Sequence, residues 1–207
     1  AWTPFASRRT VVRGSYGLFY DRVPLRALAN ALLSAGNTTS ADNLRQIGLA
    51  LSPAQDGAPV FPAILGTVIP SLTLPSFSTM NPNMQNAYSE QGSFEIEHQL
   101  SEHSTLSAGY QHVRGLHLII SINQNAPACV ASGNNNGCRP NPNYANNSQY
   151  SPLADSHYDG LHVSLVERPV KWGSYRVSYT YSKALDNVGE FFFSSPINTF
   201  NIWQDYG

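Results

Sequence analysis

Residues 174–184 read Ser174-Tyr175-Arg176-Val177-Ser178-Tyr179-Thr180-Tyr181-Ser182-Lys183-Ala184, and their order decides the fold class. Tyr175, Val177, Tyr179 and Tyr181 fall on one side; Arg176, Ser178, Thr180 and Ser182 fall on the other. A period of two marks a β-strand with chemically different faces. The first face is aromatic and aliphatic, the second polar. A strand of this kind stands between an apolar phase and a hydrated one.

The same alternation recurs upstream. In residues 10–20, Val12, Gly14, Tyr16, Leu18 and Tyr20 oppose Arg13, Ser15 and Gly17, and Phe19 breaks the pattern. Residues 92–100 set Phe94, Ile96, His98 and Leu100 against Ser93, Glu95, Glu97 and Gln99. After the polar turn Ser101-Glu102-His103, Leu106, Ala108 and Tyr110 oppose Thr105, Ser107, Gly109 and Gln111, which predicts a hairpin. Leu116, Leu118, Ile120 and Ile122 carry that strand on to about residue 122. In residues 158–168, Leu161, Val163 and Leu165 are set against His162, Ser164 and Glu167, with Val166 out of pattern. The segment Pro169-Val170-Lys171-Trp172-Gly173 then turns the chain into the strand at 174–184.

Between the hairpins lie much longer connections, at 21–87, 123–156 and 186–207. The first contains Pro24–Ala35, of helical composition, with Pro24 suited to a first turn and Gly36 to a stop. Six prolines from Pro53 to Pro82 interrupt the rest. The second is rich in Asn and Pro and holds both cysteines, Cys129 and Cys138. In a polar turn outside the cytoplasm, such a pair reads as a loop-stapling disulfide. Short turns alternating with long loops are what a transmembrane barrel has by construction: turns on the periplasmic side, loops outside.

Composition narrows the alternatives. Charged residues make up 12% of the 207 positions, about half the ~25% of a soluble domain. The net charge of −1 leaves no electrostatic case for a nucleic-acid partner. No apolar run approaches the ~20 residues of a transmembrane helix, a test that barrel strands escape. The six histidines fall into the pairs His98/His103, His112/His117 and His157/His162. Each pair is five residues apart, a spacing that sends the rings to opposite faces of a strand, so no pair chelates a metal locally and only cross-strand pairing could bring two rings together. No nucleophile elbow, phosphate loop or zinc-protease motif is present. The chain is therefore expected to be no enzyme and to carry no cofactor.

The expectation is one domain over 1–207: an incomplete, antiparallel transmembrane β-barrel of about five or six strands. Arg13, Glu95, Glu97 and Arg176 are the expected lumen-facing charges. Tyr16, Tyr110, Trp172, Tyr175, Tyr179 and Tyr181 are expected at the membrane interface, because such rings pair an apolar body with a polar tip. The competing class is a secreted, soluble β-rich binding domain, which would have to pack the Tyr, Val and Leu faces into a closed core. The chain starts at Ala1 without an initiator Met and stops at Gly207 without a terminal signature, so it reads as a fragment.

Several strings in this order resemble one family. They are Val12-Arg13-Gly14-Ser15-Tyr16-Gly17-Leu18-Phe19-Tyr20-Asp21, Asn81-Pro82-Asn83-Met84-Gln85-Asn86-Ala87-Tyr88, and Ala108-Gly109-Tyr110 with Arg114-Gly115-Leu116-His117-Leu118. Tyr158-Asp159-Gly160-Leu161-His162-Val163 and Val177-Ser178-Tyr179-Thr180-Tyr181-Ser182-Lys183-Ala184-Leu185-Asp186 complete the set. Together they resemble the barrel of TonB-dependent, Oar-like outer-membrane receptors. That resemblance implies outer-membrane lipid as the surroundings and a Gram-negative cell as the source. It also implies uptake of a ligand that no residue here names. A TonB-type energy-coupling protein would act through a plug region not seen in this sequence.

Overall fold

The computed structural model describes residues 1–34, 59–64, 74–129, 135–171, 173–188 and 195–207. Six strands form one sheet: β1 (Thr10–Tyr20), β2 (Phe77–Met80), β3 (Tyr88–Gln99), β4 (Ser104–Asn123), β5 (Asn147–Val170) and β6 (Gly173–Asp186). One α-helix among the described residues, α1 (Leu25–Ser34), follows β1. The neighbours run β1-β3-β4-β5, and β5 is then flanked by β6 along one stretch and by β2 along another. The five long strands form an antiparallel meander, curled as part of a barrel wall.

Three features depart from the sequence reading. The sheet is not purely antiparallel, because β2 lies in the first long connection and pairs in parallel with Asn147–Tyr150 of β5. The second connection is shorter than 123–156, because β5 begins at Asn147. Its Asn, Ser and Pro residues read as loop, yet the ladder tolerates Pro152 because the β4–β5 register shifts between the pairs Leu118↔Ala154 and Ile120↔Ser151. A proline without an N–H fits such an irregularity. Finally, Glu167 shares the parity of Leu161, Val163 and Leu165, so it stands on the apolar face, and Val166 stands on the polar one.

Both described short turns lie at one end of the sheet. In the first, the Ser101 Oγ accepts from the backbone N–H of His103 (3.1 Å) and of Ser104 (3.0 Å), closing the β3–β4 corner. In the second, Gly173 takes a φ of +142° beyond Lys171. Side chains strain at that angle, which accounts for the glycine. Trp172 lies outside the described residues, as do Gly36 and the prolines Pro53 and Pro70.

The opposite end is where β4 and β5 outgrow the membrane. They have 20 and 24 residues, whereas a tilted crossing takes about 9–11. Their extensions are covered on both sides. On one side Ile119 and Tyr150 pack with Ala27 of α1, and with Val23, Met80 and Met84. On the other, Ile120, Ile122 and Ala154 pack with Leu118, Val188 and Ile202. Ala27 and Ala31, one helical turn apart, are the buried residues of α1.

Candidate functional site: the two faces of the sheet

Partners across an antiparallel ladder share a face, so the registers sort every strand residue. One face collects Arg13, Glu95, Gly109, His162 and Thr180 in one row. The rows beside it hold Val11, Glu97, Ser107, Ser164 and Ser178, and Ser15, Ser93, Gln111, Gly160 and Ser182. The other face carries Thr10, His98, Leu106, Leu165 and Val177; then Val12, Ile96, Ala108, Val163 and Tyr179; then Gly14, Phe94, Tyr110, Leu161 and Tyr181.

This second face is uncovered. Phe94 is 49% exposed, Val177 60% and Tyr181 70%. No second sheet lies against it among the described residues. A soluble sandwich would bury these side chains, so that alternative fails on exposure. Charged groups bound the apolar rows: Glu167 near the short turns, and Asp159 and Lys183 toward the loops. Glu167 and Asp159 are eight residues apart. That is roughly 27 Å along a strand at ~3.4 Å per residue. At a tilt of about 40° it spans roughly 20 Å, close to the ~25 Å apolar band of a membrane barrel.

The four charges expected in the lumen share the polar face. Arg13 Nη1 donates to Glu97 Oε2 at 2.7 Å and lies 3.7 Å from Glu95 Oε1. Arg176 lines a cavity of about 370 Å³ with Glu97, Thr105, Ser107, Ser164 and Arg168. Arg168 is the residue that sequence reasoning passed over there. Its position at the strand end disguised it, although its parity with His162 and Ser164 was readable. Gly109 is the close approach on this face: a Cβ there would stand 2.2 Å from the His162 ring, which lies across it.

The five tyrosines of the aromatic set occupy the other face, but not as a single ring. Tyr110 and Tyr181 share the row of Leu161, and Tyr16 lies one row toward the loops. Tyr179 stands in mid-band, and Tyr175 pairs with Glu167 near the turn.

The histidines behave differently from their sequence spacing. His112 and His157 come from different sequence pairs and meet across β4–β5, with ring centroids 4.9 Å apart. Asp159 is the direct cross-strand partner of His112 and lies two residues after His157. These are the described residues whose ligand atoms gather closely enough to hold a metal.

In the second connection, Cys129 and Cys138 form a disulfide, with their Cα atoms 5.7 Å apart. The abundant asparagines have a structural part there. Asn125, 2% exposed, donates from its amide to the carbonyls of Asn141, Tyr144 and Ala145 at 2.9–3.0 Å. Arg139 Nη1 donates to the Asn125 carbonyl at 2.7 Å.

A one-sheet wall with an uncovered apolar band outside, charges inside and long loops at one end defines an outer-membrane β-barrel. The chain belongs to the outer membrane beta barrel domain family, which it matches over residues 1–207. It is a protein of the Gram-negative outer membrane. Among solved structures, it is similar to the outer-membrane transporter YddB of Escherichia coli, with a TM-score of 0.53 and 10% sequence identity. That likeness covers 90% of this chain and 19% of the transporter, so it speaks for the fold alone. No curated protein matches the sequence.

Proposed function

We propose that the chain is wall and loop structure of a TonB-dependent receptor, and that its polar face lines the path of an imported ligand. The observation that carries this reading is the charged cluster of Arg13, Glu95 and Glu97, beside a cavity edged by Arg168 and Arg176. The interior of an outer-membrane barrel is polar, water-filled in a channel and plugged in others. Charges set on a hydrated wall suit a polar ligand or a plug that must slide free. The strings shared with Oar-like receptors support the same reading.

In this proposal the chain is not an enzyme. It acts with a TonB-type energy-coupling protein, which engages a plug region of the whole receptor. The test uses the full-length receptor, purified in detergent. It should bind the periplasmic domain of a TonB-type protein and conduct no ions in a planar bilayer. An open, steady conductance together with no such binding would make it a passive pore instead.

A further inference from the structure

We propose that His112, His157 and Asp159 form a binding site for a divalent transition metal of the zinc class, on the outer surface of the barrel wall. The proposal is independent of what the barrel imports. It rests on three placements.

The first is the geometry. His112 Nδ1 lies 2.8 Å from Asp159 Oδ1, and His157 Nε2 lies 2.5 Å from Oδ2. All three ligand atoms are within 4.8 Å of one another. Ligands at ~2.0–2.1 Å from a tetrahedral zinc stand roughly 3.3 Å apart. The two contacts run to different oxygens of Asp159, so one oxygen serves as the ligand, and the three ligand atoms draw together by at most about 1.5 Å to reach that spacing. The donor set of two imidazoles and one carboxylate is that of sites with an open position.

The second placement is the platform. His112 and Asp159 are opposed in a continuous ladder, and His157 shares their face one diagonal step away. Neighbours on both sides hold the strands, β3 beside β4 and β6 beside β5. Such ligands are preorganised by the sheet and not by a loop. Tyr110 adds an outer support: its hydroxyl donates to Asp159 Oδ1. Partners of this kind fix the orientation of a liganding carboxylate.

The third is the position. The cluster lies one row beyond the apolar rows, on the side of the long connections, with Lys183, Arg114 and Glu90 around it. Each of the three side chains is about a third exposed, at 34–36%. An ion arriving from water can reach them, and its fourth position is left for water. The site lies on the opposite face from Arg13, Glu95 and Glu97, so it takes no part in the proposed ligand path.

The test uses the full-length protein in detergent, stripped with a chelator and re-equilibrated with micromolar zinc. One zinc per chain should be retained, and cobalt(II) in its place should give the visible absorption of a four-coordinate nitrogen–oxygen site. His157→Ala and His112→Ala should each weaken zinc by more than the ~10–100-fold that loss of an outer support costs. Tyr110→Phe should fall inside that range. Heat-modifiable gel migration shows whether each variant is folded. Absence of zinc from the folded wild-type protein, or a His157→Ala variant that binds as tightly, would overturn the proposal. The cobalt spectrum of the wild type decides the matter even if the variants misfold.

Discussion

Strand β4 is two environments in one element. In its first half, Leu106 is 37% exposed and Tyr110 46%. In its second half, Ile119 is 4% exposed and Ile120 1%. The residue types are alike; the solvent differs. Below, the apolar face meets lipid, so the sheet needs no partner layer. Above, both faces meet water, so α1 and β2 cover one and the segment around Val188 and Ile202 covers the other. The lower half obtains its apolar surroundings from the membrane, and the upper half must build them from protein.

Substitutions in the two halves should have unequal costs. The largest effect is expected at Ile120→Ala, which removes a fully buried side chain from a packed cluster and should cost about 2–5 kcal/mol. Leu106→Ala should cost distinctly less, because lipid fills the space it leaves. Denaturant unfolding in detergent micelles compares the two. Equal losses would mean that Leu106 is packed against protein.

Next in size is a charge on either face. Val163→Arg places a guanidinium in the apolar band and should destabilise the barrel by about 2–4 kcal/mol. Ser164→Arg, one residue on, faces the polar side and should cost less, its loss coming from crowding beside Arg168 and Arg176. Reversible folding into lipid vesicles measures both.

Smaller and more local is Asn125→Ala. It leaves the carbonyls of Asn141 and Tyr144 without this buried donor, while Ala145 keeps Arg139, a loss on the order of 1–3 kcal/mol. Limited proteolysis should find the connection between β4 and β5 opened while the wall stays resistant. Cleavage in the wall itself would show that loop and barrel unfold together.

The smallest effect belongs to Arg13→Gln. The side chain is 46% exposed, and ion pairs of that kind contribute about 0–1 kcal/mol. Stability should barely change when the variant is unfolded in denaturant alongside the wild type.

The lower region was legible in the sequence and the upper one much less so. Where a strand separates lipid from water, each residue announces its face through the period of two, as in Tyr175 to Ser182. Where both faces are buried the period vanishes. Leu116, Leu118, Ile120 and Ile122 read as one apolar face, yet Ile119 is also buried, on the opposite side. The start of β5 was hidden for a related reason. Asn147, Ser148 and Pro152 carry loop chemistry, and only the pairing with β2 and β4 makes them strand. The cluster of His112, His157 and Asp159 was hidden by register. Spacing along one strand says which residues share a face, but not which residue of the next strand lies opposite.

Thiol accessibility along β4 distinguishes a lipid-facing side from a water-facing one. Single cysteines placed one at a time from Thr105 to Gln111 and from Leu118 to Ile122 are probed in the native membrane. A charged, water-soluble thiol reagent is compared with a lipid-soluble one. Positions 106, 108 and 110 should react only with the lipid-soluble reagent, and 105, 107 and 111 with the charged one; Gly109 is left unchanged, because a side chain there meets the His162 ring. From 118 to 122 the alternation should disappear, with protection on both parities. Uniform labelling by the charged reagent across 105–111 would contradict the claim that this face of the sheet lies in the membrane.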